Sequence, residues 1–409
     1  MRIAWLSQFV PYPPTSGALE RSFHLLRHAA RRHEVHLLAL DQVRLRAGGP
    51  TVAESVAALE PLCASVHVFE MPFERSGWRR ILAQVLGALA STPYDRVWLG
   101  SPPMHRGAAR LFVEAPPALL HVDTIGLMPY ARHFPGVPVV LNHHNVESGL
   151  AARRARCEPS RWRALLLRRE ARKQLRAEGE ICPHVEMNLV VSSLDGERLQ
   201  ASAPGSRVSV VENGVDCEFF RPAPDPGPEG GLVFAGTLGW YANREAARFL
   251  AAEVLPALNG SGPPRRLTLV GRDPQRGDWD SASPWVMATG YVPDVRPYLR
   301  SSCIYACPIR DGGGTRLKAL VALAMGKPLV ATALAVEGLR VQENEHYLRA
   351  ESAGDFVTQI RRLEGDPSLR RRLGAAGRSL VEREYDWSVI GRQLDSAYAD
   401  VVGRGGAAW

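Results

Sequence analysis

The stretch Pro308–Thr332, PIRDGGGTRLKALVALAMGKPLVAT, decides how this chain is read. An apolar run ends at Pro308. Three glycines (Gly312, Gly313, Gly314) follow, and Thr315 opens a helical pattern that stops at Gly326. Lys327 and Pro328 lead into a second apolar run, Leu329 to Ala331. The order is strand, glycine loop, helix, strand, with a hydroxyl where an N-cap is wanted and a glycine where a helix ends. Glycines let backbone N–H groups approach a ligand closely, and a helix start adds partial positive charge, so the loop suits a phosphate. Arg316 and Lys318, just inside the helix, add full charges beside such an anion. The alternative is a glycine-rich helix start with two solvated basic side chains.

The same alternation runs outward in both directions. Toward the N-terminus, short apolar strands are expected at Arg2–Ser7, Val35–Leu40, Ser65–Phe69, Ala118–Val122, Val139–Asn142, Leu189–Ser192 and Val208–Val211, separated by helical stretches. After a linker-like run, PAPDPGPEGG at Pro222–Gly231, the pattern restarts. Its strands are expected at Leu232–Ala235, Leu267–Val270, Val286–Thr289, Ile304–Ala306 and Leu329–Ala331. Such spacing predicts an α/β chain with two doubly wound parallel sheets in tandem. The expected division is 1–205 for a first Rossmann-like domain, 206–230 for a crossing and linker, and 231–385 for a second domain. Residues 386–409 are expected to form a helix returning to the first domain. Doubly wound sheets bind ligands outside the carboxyl ends of their strands, so a cleft between the domains is the expected site. No GxGxxG follows the first strand, which argues against a nicotinamide enzyme.

With 409 residues, 45% hydrophobic and 22% charged, the chain has the composition of a globular protein. No uninterrupted apolar run reaches the length of a membrane span. The opening MRIAWLSQFVPYPP reads as a first strand, without a small-residue cleavage site. The six cysteines lack metal-type CxxC spacing, which predicts a reduced, cytoplasmic protein. Between Arg153 and Arg176 ten basic residues face only Glu158 and Glu170, which accounts for the whole net charge of +8. With Trp162 and Leu165 to Leu167 inside it, this helix suits either solvent or the surface of an anionic membrane. Aromatic residues are not interleaved with the charges, so no nucleic-acid partner is expected.

Taken in order, several motifs resemble those of the large family-four group of retaining glycosyltransferases with the GT-B fold. They are Val211-Glu212-Asn213-Gly214-Val215-Asp216 with Phe219, Phe220 and Pro222; Phe234-Ala235-Gly236-Thr237-Leu238; and Val270-Gly271-Arg272. Gly290-Tyr291-Val292-Pro293-Asp294-Val295, the glycine-loop passage and Val336-Glu337-Gly338-Leu339 complete the set. The first loop, Pro13-Pro14-Thr15-Ser16-Gly17-Ala18, resembles the family's amino-terminal glycine loop, with Ala18 where a second glycine is common.

The resemblance implies a nucleoside-diphosphate sugar held mainly by the second domain and an acceptor held mainly by the first. The acceptor would be a small molecule, a glycan or a lipid-linked sugar in surface-polysaccharide, glycolipid or secondary-metabolite assembly. No separate cofactor and no metal are implied. Arg316, Lys318 and the amides of Gly312, Gly313, Gly314 and Thr315 would face the diphosphate, because stabilising that leaving group is the chief electrostatic task. Gly17, Gly236, Thr237 and Arg272 would complete the donor site. Asp123 falls where relatives carry a polar catalytic-loop residue, and an Asx turn is its alternative. His143, His144 and Asn145 would line the acceptor pocket, with a structural histidine pair as the alternative.

Two departures stand out. Relatives commonly carry glutamates at the positions of Gly313 and Val321, the second of which binds ribose hydroxyls, and valine accepts no hydrogen bond. A frequent Arg/Lys pair is replaced by Thr237 and Ala242. A non-catalytic nucleotide-sugar-binding homologue and a sugar-nucleotide epimerase of the same fold are therefore the alternatives to a transferase.

Overall fold

The computed structural model describes residues 1–15, 17–43, 49–222, 231–260, 262–272, 283–311 and 317–405. These fall into two compact units. The first comprises Met1–Glu212 together with the C-terminal residues from Ile390 on, and the second comprises Asn213–Val389.

In the first unit seven strands form one sheet: β1 (Arg2–Ser7), β2 (Glu34–Asp41), β3 (Ser65–Glu70), β4 (Leu119–Val122), β5 (Val139–Asn142), β6 (Met187–Val190) and β7 (Val208–Val210). Their order is β3-β2-β1-β4-β5-β6-β7, and every pair is parallel. The second unit holds β8 (Leu232–Ala235), β9 (Leu267–Val270), β10 (Val286–Ala288), β11 (Ile304–Cys307), β12 (Leu329–Ala331) and β13 (Leu348–Arg349). Their order is β10-β9-β8-β11-β12-β13, again parallel throughout. The cause is visible in strands such as LLHV of β4 and IYAC of β11, buried at every position: only a sheet covered by helices on both faces buries both sides of its strands.

Each sheet therefore reverses its winding once, between β1 and β4 in the first unit and between β8 and β11 in the second. In open α/β sheets the loops leaving the strands at such a reversal form the ligand crevice.

The structure moves some expected boundaries. The range 206–230, read as a crossing, begins with β7, which pairs with β6 and so belongs to the first sheet. The strand expected to reach Ser192 ends at Val190, because Ser192 caps the next helix and its hydroxyl accepts the Asp195 N–H. The helix Leu317–Ala324 stops where Gly326 was expected to stop it. At φ +64°, Gly326 donates to Leu323 O at 2.9 Å while Lys327 N–H reaches Ala322 O at 3.0 Å. These two bonds close a left-handed C-cap.

Candidate functional site

At the reversal in the first unit the strand ends carry a buried polar network. Asp123 leaves β4 with its backbone N–H bonded to Leu6 O at 2.9 Å, and its side chain is fully buried. Oδ2 accepts the Ser22 hydroxyl at 2.7 Å and the Ser7 hydroxyl at 3.4 Å; Oδ1 accepts Asn142 Nδ2 at 3.0 Å and lies 3.3 Å from His144 Nε2. Burial alone would push this carboxyl up. The charge of His144 and the hydrogen bonds reaching the carboxylate outweigh it and hold Asp123 below the usual carboxylate range.

Asn142 passes the network on to Arg21, which bonds its Oδ1 through Nε and Nη2 at 3.1 and 2.7 Å. Arg21 Nη1 also donates to Val211 O at 2.7 Å and Glu212 O at 3.0 Å. Burial pulls the Arg21 guanidinium down to about 10, with Asp123 acting against the shift. A buried cation and a buried anion are thus joined through one amide, and each makes several further polar contacts, the condition under which such charges are tolerated.

Beneath Asp123, His121 stacks on Trp5 with ring centroids 3.6 Å apart, and its Nδ1 pairs with the Tyr398 hydroxyl at 2.8 Å. Tyr398 belongs to the helix Trp387–Gly405, so the chain's last helix supports this corner. Burial drives His121 down to about 3 and keeps its ring neutral.

Asp123, expected at a catalytic-loop position with an Asx turn as the alternative, has no exposed surface, and its carboxylate lies 3.3 Å from His144 Nε2. His143 was expected to line the acceptor pocket, but it points into the core, where Nε2 sits 3.0 Å from Asn188 Oδ1 and burial lowers its pKa to about 4. The reason is the period of two along a strand. His143 N–H bonds Leu189 O and so continues β5, which sends 141 and 143 to one face, and 142 and 144 to the other with Asp123. His144 and Asn145 remain partly exposed, and Gly17 opens the helix Gly17–Ala30 at the surface.

At the reversal in the second unit the construction is different. Gly236 leaves β8, its N–H bonded to Val270 O at 2.9 Å. A Cβ on Gly236 would lie 2.5 Å from Lys318 Cε and 3.0 Å from Asn243 Nδ2, so the Lys318 stem passes directly over this glycine. Gly271, at φ +138°, lies so close that a Cβ there would run into the Gly236 carbonyl oxygen. Thr237 is exposed, and its carbonyl accepts Asn243 Nδ2 at 2.8 Å and Trp240 N–H at 3.0 Å as the helix Tyr241–Phe249 begins. The Tyr241 hydroxyl donates to Asp311 Oδ2 at 2.8 Å, tying the loop after β8 to the loop after β11. Arg272, after β9, stands 5.2 Å over the Tyr291 ring, after β10.

Lys318, Gly236, Thr237 and Arg272 are thus all carried at the carboxyl ends of β8, β9 and β11. Gly312, Gly313, Gly314, Thr315 and Arg316 lie outside the described residues. Val321, one turn beyond Lys318, is partly buried against the core of this unit.

Two family profiles match this chain. The profile described as Glycosyltransferase Family 4 matches residues 16–219, and the one described as Glycosyl transferases group 1 matches residues 229–366. The chain belongs to this glycosyltransferase family. Among curated relatives, the phosphatidyl-myo-inositol mannosyltransferase of Mycobacterium tuberculosis is 30% identical over 233 residues. Its counterpart in Mycobacterium leprae is 28% identical over 228 residues. Each match covers 53% of this chain and 60% of the relative, less than two thirds of the relative's length.

Solved structures give the fold over nearly the whole chain. Sucrose-phosphate synthase from Thermosynechococcus elongatus superposes with a TM-score of 0.72 at 18% identity, covering 99% of this chain and 100% of that one. HepE of Anabaena in complex with UDP gives 0.66 at 17% identity, covering 98% and 100%. The architecture is GT-B, with two Rossmann-like units.

The sequence reading missed Arg21, Ser22, Asn142, His121 and Tyr398. Ser22 left a trace, since it interrupts the apolar positions Leu19, Leu26 and Ala29 on the buried face of its helix. Arg21 and Tyr398 left none, because their partners lie far away in sequence.

Proposed function

We propose that this glycosyltransferase moves a sugar from a nucleoside-diphosphate donor to an acceptor with retention of anomeric configuration, without a metal, in the cytoplasm. The observation that carries the proposal is the passage of Lys318 over Gly236 at the reversal of the second sheet. An ammonium fixed beside exposed loop backbone suits a diphosphate, and charge that develops on the leaving group is stabilised most by donors already in position. The amides of Gly312, Gly313, Gly314 and Thr315 and the guanidinium of Arg316 would complete that cradle. Arg272 and Tyr291, at the neighbouring strand ends, would hold the base. On the acceptor side the partly exposed His144, fixed by Asp123, would meet the hydroxyl that attacks, with Asn145 beside it. A glycan or lipid-linked acceptor of surface-polysaccharide or glycolipid assembly is favoured by the curated relatives, whose name gives a phosphatidylinositol as the acceptor.

Thermal-shift measurement against a panel of nucleoside diphosphates tests the donor site, since a ligand that binds the native state raises Tm. One diphosphate should stand out, and its sugar ester should yield a product of retained configuration with a matching acceptor. A flat response to every diphosphate overturns the proposal. Val321 favours one second reading: an apolar side chain packed on the core cannot hold a ribose hydroxyl, as a donor-binding homologue without turnover would tolerate. Donor binding with no product from any glycan or glycolipid acceptor would select that reading. Conversion of donor alone would instead select an epimerase.

A further inference from the structure

The helix Gly77–Leu89, GWRRILAQVLGAL, is packed the wrong way round for a surface helix. Its buried residues are the small ones, Ala83 and Gly87. Its large apolar residues, Trp78, Ile81, Leu82, Val85, Leu86 and Leu89, face solvent at helical spacing, with Trp78 63% and Leu89 73% exposed. Two contacts fix this orientation. A Cβ on Gly87 would lie 2.5 Å from the Tyr94 ring, and the buried Lys173 donates its Nζ to Gly87 O at 2.6 Å. The inward face has room only for small residues, so the outward stripe is not a core that failed to close. Contiguous apolar surface of this kind on a folded unit marks an interaction site.

Lys173 comes from the helix Arg161–Ile181, which therefore lies alongside. That helix exposes Trp162, Leu165 and Leu166, one turn apart on one face, with Trp162 79% exposed. Around them Arg163, Arg168, Arg169, Arg172 and Arg176 are exposed as well. The helix Gly77–Leu89 adds Arg79 and Arg80 and carries no acidic residue. Two neighbouring helices thus present indole and aliphatic side chains ringed by guanidinium groups.

We propose that this face docks the first unit on an anionic phospholipid bilayer, with Trp78, Ile81, Val85 and Leu89 entering the boundary between headgroups and acyl chains. The arginines of Arg161–Ile181 would pair with the phosphates. The charge selects this occupant. A second copy of the chain would set the same arginines against themselves in a two-fold interface, whereas an anionic surface complements every one of them. Among the described residues no helix is long and apolar enough to cross a membrane, so the contact is peripheral. Docking requires no donor and no turnover, so its outcome is independent of glycosyl transfer.

The experiment is cosedimentation of the full chain with phosphatidylcholine vesicles, with and without phosphatidylglycerol, at low and physiological salt. Binding is expected with phosphatidylglycerol at both salts and not with phosphatidylcholine alone. Ile81→Glu with Val85→Glu should weaken it about tenfold or more, because two carboxylates then face the headgroup boundary. Both positions are exposed, so the Tm should not change. Arg168→Gln with Arg169→Gln and Arg172→Gln should remove the binding that survives physiological salt. No binding of the wild-type chain overturns the proposal, as does binding that the double glutamate variant leaves intact. So does a dimer in sedimentation velocity that the same variant dissolves while vesicles are ignored.

Discussion

The two sheet reversals solve the same structural problem with different materials. In the first unit the reversal between β1 and β4 is filled with side chains: Ser7, Ser22, Asn142 and His144 converge on a carboxylate with no exposed surface, and Arg21 balances it from behind. In the second unit the reversal between β8 and β11 is built from backbone. Gly236 and Gly271 touch where no Cβ fits, and one long side chain, Lys318, is laid over Gly236. A side-chain network fixes the orientation of one partly exposed histidine. A surface built of glycine backbone keeps side chains from standing between it and whatever approaches. The difference teaches that orientation is controlled on the proposed acceptor side and close approach on the proposed donor side.

Breaking the network should have the largest effect. Asp123→Ala leaves the buried Arg21 without its counter-charge and should cost about 3–5 kcal/mol of stability in denaturant unfolding. Gly271→Ala attacks the other construction. The added methyl meets the Gly236 carbonyl at a φ that L residues avoid, and the cost should be about 2–4 kcal/mol. Gly290→Ala, at φ +68° with nothing within 4 Å, is the control and should cost only about 1–2 kcal/mol. Equal losses at the two glycines would mean that the Gly236–Gly271 contact does not matter.

Lys318→Ala sharpens the comparison without unfolding either unit. It should weaken nucleoside-diphosphate binding by about 1.5–3 kcal/mol in isothermal titration, the range for a hydrogen bond to a charged group. The same titration with Asp123→Asn should change little, because that residue belongs to the other reversal.

The smallest effect, taken per pH unit, comes from proton linkage in the first unit. His121 and His143 are held neutral by burial, at about 3 and about 4. Their contribution is complete above the unfolded value near 6.5 and is lost as pH falls toward those folded values. Glu147 works in the opposite sense. Burial, with Asp95 and Glu178 adding to it, raises its carboxyl to about 7, so its contribution is present at low pH and lost as pH rises from about 4.5 to 7. Glu147→Gln should therefore steepen the acid loss of stability by about 1.4 kcal/mol per pH unit across that window. Denaturant unfolding of both proteins between pH 4.5 and 8 reads the difference, and parallel curves would contradict it.

Some of this was legible in the chain. Short, mostly apolar runs such as those of β4, β9 and β11, set between helical stretches, admit little besides covered parallel sheets, and Gly326 ends its helix as its position suggests. The motif around Gly236 and Gly271 marked the second reversal, because a glycine required by close approach leaves its mark in sequence. The two-residue strand β13 left none, being too short for any period. The helix Gly77–Leu89 was equally opaque. Its apolar positions fit a buried face as well as an exposed one, and only Gly87 against Tyr94 decides which way it turns.

By itself, then, the sequence determined most of the order of elements and the family, because those follow from local periods and from residues with special backbone needs. Tertiary structure alone decided which of His143 and His144 faces the reversal, that Asp123 is an internal anchor, and that Arg21 balances it through Asn142. The physical reason is that direction and burial depend on pairing register. The register of β5 against β4 and β6 is set by partners distant along the chain, and a shift of one residue would exchange the two histidines.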